Sequence, residues 1–186
     1  MYICMKVFYT ASFYGKSKYQ EFFDMVLNAI KKTGVDFLSP EVGDYLSILK
    51  IQHSANIKSK KKLHYDAIRK GILWADTVII EVSHEDFQLG HEVSLAIQSK
   101  KPVLCLSIHE DFSKKISSPY LFGAKYNSYN IDELVTDFIN KYSKETLNER
   151  FNLFMSKRQL KNLGKAAKEK GLNNSEDLRM LIDKNS

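Results

Sequence analysis

Apolar positions recur along this chain with two periods, and their alternation predicts strands and helices in turn. Residues 5–10, Met-Lys-Val-Phe-Tyr-Thr, are rich in strand formers and end at the small polar pair Ala11-Ser12, which reads as a first strand running into a loop. From Ser17 onward, Tyr19, Phe22, Phe23, Val26, Leu27 and Ile30 fall at helical spacing until Gly34 supplies a stop. Residues 35–38 read as a short second strand closed by Ser39-Pro40. Residues 40–62 carry little pattern and end in a basic run, Lys58-Ser-Lys-Lys-Lys62, before helical spacing returns over residues 63–74. Loops of that length are often lids or binding loops. The lysines fit either a solvated face or capture of a phosphate or nucleic acid.

Residues 77–82 form a continuous apolar run, residues 89–99 a helical pattern, and residues 102–107 a second apolar run whose first residue, Pro102, sits where a strand tolerates proline. Strands alternating with helices predict an α/β domain with a parallel sheet covered on both faces. Residues 108–130 read as a polar connection, and residues 131–142 return to helical spacing through Leu134, Val135, Phe138 and Ile139. This body, residues 1–145, is followed by a segment of different logic over residues 146–186. Residues 150–155 alternate, Ser156 can cap a helix carrying Leu160, Leu163 and Ala167, and residues 171–175 break it before a last helix over residues 177–184. A short strand and two short helices bury too little on their own, so this element is expected to dock or dimerise.

Composition narrows the class. Hydrophobic residues make up 44% and charged residues 27%, values of an ordinary globular protein. No stretch approaches the roughly 20 apolar residues of a spanning helix, and the start Met-Tyr-Ile-Cys-Met-Lys lacks a signal-peptide layout, so a cytoplasmic protein without membrane contact is expected. Cys4 and Cys105 have no Cys-x-x-Cys partner and read as buried thiols. The net charge of +6 is uneven: residues 141–186 hold 11 Lys/Arg against 6 Asp/Glu, and the rest 17 against 16. The basic tail suits an anionic partner, and equally a solvated helical face.

The chemistry concentrates between residues 75 and 106. Glu92 follows Gly90-His91 in a helix between two apolar strands, where open α/β sheets bind ligands. A carboxylate at a helix start is favoured by the helix dipole and can serve as a nucleophile in glycosyl transfer, or simply cap the helix. Ala75-Asp76, Glu81-Val82, Gly90-His91-Glu92, Ala96 and Lys101-Pro102-Val-Leu-Cys-Leu106 resemble the core of the nucleoside 2-deoxyribosyltransferase superfamily, which includes the 2'-deoxynucleoside 5'-phosphate N-hydrolases. The similarity spans roughly residues 5–140.

That resemblance implies a flavodoxin-like fold that cleaves or transfers the N-glycosidic bond of a nucleoside or nucleotide, with Glu92 as nucleophile and no metal or redox cofactor. Asp86, the second catalytic candidate and expected near the sugar with Tyr9 and Ser12, matches a loop position that is acidic in the transferases and a phosphate-contacting serine in the nucleotide hydrolases. This favours an unphosphorylated substrate or one bound differently, and an exposed loop acid is the plain alternative. The family's aromatic residue at the end of the first strand falls on Phe8 or Tyr9, and Ser12 stands where its first loop carries glycine. Its aspartate before the Ala-Asp pair falls on Ile68, with Asp66 two positions away. Gly90 belongs to the same motif. His91 is a candidate base contact or a packing residue, and Asn127 a candidate substrate contact or a turn asparagine. Ser117 and Ser118 lie where the hydrolases offer a serine to the neighbouring subunit, implying a homodimer.

The tail resembles a ribbon-helix-helix module, in which two chains pair strands and lay the ribbon in a DNA major groove. Alternation puts Phe151, Leu153 and Met155 on one face and Arg150, Asn152 and Phe154 on the other. A non-catalytic nucleotide-sensing or DNA-binding protein is therefore the alternative reading.

Overall fold

The structure, a computed structural model, describes residues 5–43, 60–144 and 153–184. Cys4, Lys58, Arg150, Phe151 and Asn152 lie outside the described residues. The chain divides into two compact units, Met1–Thr146 and Leu147–Ser186.

In the first unit, β1 (Lys6–Ala11), α1 (Lys16–Lys32), β2 (Asp36–Leu38), α2 (Lys60–Trp74), β3 (Thr77–Glu81), α3 (Phe87–Gln98), β4 (Val103–Ser107), β5 (Leu121–Lys125) and α4 (Ile131–Lys144) follow in order. All strand pairs are parallel, in the order β2-β1-β3-β4-β5, the flavodoxin-like arrangement. The strands β3 and β4 are buried at every position because helices cover both faces, which is why their sequences are apolar throughout.

One face carries Val7, Tyr9, Ile79, Leu104 and Leu106 against Val26 and Ile30 of α1 and Val135 and Phe138 of α4. The other carries Phe8, Val78, Ile80 and Cys105 against Ile68 and Ile72 of α2 and Leu89, Val93 and Ala96 of α3. Burial pushes the Cys105 thiol up to about 12, so it stays protonated. The chain leaves β1 toward one edge of the sheet and returns to β3 on the other side of β1. The carboxyl ends of these adjacent strands therefore open onto a crevice, where the loops after Ala11 and Glu81 meet.

The strand β5 lies within the stretch expected to be a polar connection. Its sequence, Leu-Phe-Gly-Ala-Lys, has no alternation, and Gly123 is required because a Cβ there would overlap the Asp111 carboxylate.

The second unit holds α5 (Lys157–Glu169) and α6 (Asn174–Asp183). Each helix starts in a reciprocal capping box, Ser156 with Gln159 and Asn173 with Glu176. The turn between them passes through Gly171 at φ 69°, and Lys170 Nζ donates to the buried Asp177 at 2.6 Å. Residues 153–156 form neither strand nor helix, contrary to the expected strand. Alternation alone does not make a strand, and among the described residues no neighbouring strand pairs with this segment. Ala167 and Asp177 are the buried residues of this unit among those described, while Leu153, Phe154, Met155, Leu160 and Ile182 are exposed. Among the described residues no helix is long and apolar enough to cross a membrane.

Candidate functional site

Helix α3 starts at Phe87, two residues before the pattern suggests, because Asp86 rather than Gly90 ends the loop. Asp86 adopts an extended conformation and its Oδ1 accepts from the Gln88 N–H at 2.8 Å, a side-chain N-cap. Its Oδ2 accepts from Ser12 Oγ at 2.9 Å, and Ser12 Oγ in turn accepts from the Gly15 N–H at 3.2 Å. The two loops of the crevice are thereby tied together.

This register places Glu92 in the second turn of α3, beyond the free N–H groups of the helix start. The helix dipole therefore does not hold Glu92 ionised, contrary to expectation. Burial raises its carboxyl to about 7, with Asp86 adding to the rise, while hydrogen bonding by Gln88 and Thr10 pulls it back. Near neutrality it exists as both acid and carboxylate.

Glu92 lies in the wall of a cavity of about 830 Å³ between α2, α3 and the loop after β1, with Phe13, Tyr14, His64, Tyr65, Phe87 and His91 among the other walls. Gln88, one turn before Glu92, donates to Glu92 Oε1 at 2.8 Å, and Oε2 is buried with no hydrogen-bond partner. The same amide nitrogen lies 3.1 Å from His64 Nε2, whose pKa burial lowers. Glu92 itself is only 1% exposed, although it lines this cavity.

A smaller cavity of about 220 Å³ shares Phe13, His64 and Gln88 with the first and adds Thr10, Ser12, Glu41 and Asp86. Lys16, its cation, is paired with Glu41 at 3.1 Å. A third cavity, of about 260 Å³, lies on the opposite side of α3 and is walled mostly by apolar residues, Leu89, Val93, Phe112 and Ile116 among them.

Several expected site residues lie elsewhere. Phe8 and Tyr9 are fully buried on opposite faces of β1. Phe8 packs under Gly71 of α2, and the Tyr9 hydroxyl donates to the Phe23 carbonyl at 2.9 Å. An interior strand covered on both sides leaves no aromatic edge for a substrate. Asp66 is half-buried on α2, turned well over a quarter of the helix away from the face of His64, Tyr65 and Ile68, and Ile68 is the cavity residue. Gly90 is exposed in the first full turns of α3 and borders the third cavity instead. Ser117 is exposed before β5, outside the walls of its own chain's Glu92 cavity, and Ser118 Oγ accepts from the Tyr120 N–H. Asn127 Oδ1 accepts from the Tyr129 and Asn130 N–H groups and closes the turn into α4. Glu92, Asp86, Ser12 and His91 do gather in or beside the two adjoining cavities. His91 stacks on Tyr65 with ring centroids 5.6 Å apart.

Gln88, His64, Phe13 and Tyr14 are the site residues that sequence reasoning missed. Gln88 carried a signal, its position four residues before Glu92; nothing local marks His64. Glu81, by contrast, points to the far face, where it accepts from Ser83 and from Tyr126 Oη at 2.9 Å, and burial raises its carboxyl. Among the described residues no three His, Cys, Asp or Glu side chains converge as metal ligands would. No protein-family model matches the chain, and no curated protein matches it.

Proposed function

We propose that this protein cleaves or transfers the N-glycosidic bond of a nucleoside, with Glu92 as nucleophile. The supporting observation is a buried carboxylate with one oxygen held by Gln88 and the other unpartnered, in the wall of an aromatic cavity large enough for a nucleoside. In the step that this arrangement favours, Oε2 bonds to C1' through an oxocarbenium-like transition state. The C1'–N bond breaks, its electron pair leaves with the base, and the base takes a proton from water. Water, or a second base, then displaces Glu92 from C1'. The aromatic walls suit a base, which stacks on any π face. The smaller cavity suits sugar hydroxyls: its carboxylate Asp86 repels a phosphate, and its Lys16 is already paired with Glu41.

The test is release of free base from a panel of deoxynucleosides, ribonucleosides, their monophosphates and NAD. Deoxynucleosides are expected to react, and Glu92→Gln to abolish the reaction. Turnover unaffected by that substitution would reject Glu92 as nucleophile.

A second reading is a nucleotide-sensing protein that binds in the same cavity without turnover and signals through its basic second unit. The near-complete burial of Glu92 and the apolar Ile68 on the cavity wall favour it. Saturable binding of a nucleoside with no base released over hours would select this reading.

A further inference from the structure

We propose that Gln88 is a positioning residue for Glu92, oriented by His64, and that it makes Oε2 the reacting oxygen. The role rests on the reading of Glu92 as nucleophile given above.

A glutamine amide offers two N–H donors on one side and a carbonyl on the other. Gln88 Nε2 lies 2.8 Å from Glu92 Oε1 and 3.1 Å from His64 Nε2. Both neighbours are acceptors when Glu92 is ionised and His64 is neutral with its proton on Nδ1, and the two N–H groups then serve one each. Turning the amide over would set its carbonyl against a carboxylate and an imidazole lone pair at once. Two acceptors on two helices therefore fix one orientation, where a single acceptor would leave the amide free to rotate. Oε1 is thereby held and partly neutralised, while Oε2, without a hydrogen-bond partner, is left the more basic of the two oxygens.

Protonation states agree with this geometry. Burial disfavours the charged form of His64 and so favours a neutral ring with a lone pair to offer Gln88. Among the described residues, the charged groups that share these cavity walls with the pair are Asp86, Glu41, Lys16 and Arg69.

The test reads the Glu92 carboxyl directly, by its carbon-13 chemical shift across pH in the full chain, and needs no substrate. Gln88→Met keeps the side chain's length and removes the donor, and is expected to raise the midpoint by about one pH unit. His64→Leu is expected to raise it by part of that amount. His64→Gln, whose amide oxygen can take the acceptor position, is expected to restore the native midpoint. A residue that merely packs would leave the midpoint in place, and an unmoved midpoint in Gln88→Met overturns the proposal. A midpoint that moves in Gln88→Met but not in His64→Leu overturns the part assigned to His64. In the unsubstituted protein the Gln88 side-chain amide is expected to shift with the same midpoint as Glu92, and an amide that ignores that titration also overturns the proposal. Absence of base release would sink the nucleoside reading without touching any of these results.

Discussion

Ser12 Oγ donates to Asp86 Oδ2 at 2.9 Å across 74 residues of sequence, while the other oxygen of Asp86 caps α3. One carboxylate thus joins the loop after β1 to the helix that carries Glu92. Asp86→Ala is expected to cost about 1–2 kcal/mol of stability, the range for losing a good N-cap. Asp86→Asn keeps the cap and loses the charge, so its stability should lie near that of the native protein. The Glu92 midpoint should then fall below about 7, because the negative neighbour that raises it is gone. Urea melts of both variants and a carboxyl titration of the second check this. Equal destabilisation by both would mean that capping is not what Asp86 does.

The buried carboxyl of Glu92 also predicts a pH dependence of stability. Its folded value, about 7, lies above the ordinary 4.5, so the folded state holds the proton more tightly than the unfolded chain. Stability from this group is greatest below pH 4.5, declines as pH rises to about 7, and above that is lower by about 3 kcal/mol. Glu92→Gln removes the titration. The variant is expected to exceed the native protein in stability at pH 8 and to lose that advantage by pH 4. Parallel stability curves for the two proteins across this range would falsify the assignment of a raised value to Glu92.

The parts of this fold legible in the sequence are those set by long-range burial of uniform runs. Strands β3 and β4 are apolar at nearly every position because both faces are covered, and α1 shows its buried stripe plainly. Strand β5 was illegible because Gly123, Ala124 and Lys125 reflect a close approach to Asp111 and a half-open edge rather than a face. Glu92 could be placed in a helix beyond β3, but the helix start could not be read from Gly90, since the capping side chain is four residues earlier. Phe8 and Tyr9 illustrate the converse case: the family resemblance implies a substrate contact at this strand end, whereas both rings are buried beneath the helices that cover the sheet. His64 meets Gln88 only through the packing of α2 on α3, a tertiary contact that no local spacing encodes.

Phe8 and Gly71 give a direct check on that core assignment. A Cβ at Gly71 would overlap the Phe8 ring, so α2 approaches β1 only because position 71 has no side chain. Gly71→Ala improves helix propensity by about 1 kcal/mol, yet overpacking of this kind costs about 1–3 kcal/mol. The net expectation is destabilisation, recovered in part by the double substitution Gly71→Ala with Phe8→Leu. Thermal or urea melts decide it; a stabilising Gly71→Ala would show that the ring yields easily and that the contact is loose.

The second unit carries its own prediction. Its two helices are well capped but bury only Ala167 and Asp177 among the described residues, and Leu160 and Ile182 stand 52% and 59% exposed. So few buried groups cannot offset the ordering of more than thirty residues. If two copies pair through this unit, as its resemblance to a ribbon-helix-helix module implies, these side chains would be covered. Leu160→Asp should leave the stability of the first unit within about 0.5 kcal/mol of native. It should nonetheless shift the full chain toward monomer in sedimentation equilibrium. If the pair also grips DNA through Lys157, Arg158 and Lys161, duplex retention must fall steeply as salt rises from about 50 to 200 mM, and must vanish in Leu160→Asp. Assembly unchanged by the substitution would remove the tail as a dimer contact. Duplex binding that persists in a monomeric variant would show that any grip on DNA does not depend on a paired ribbon.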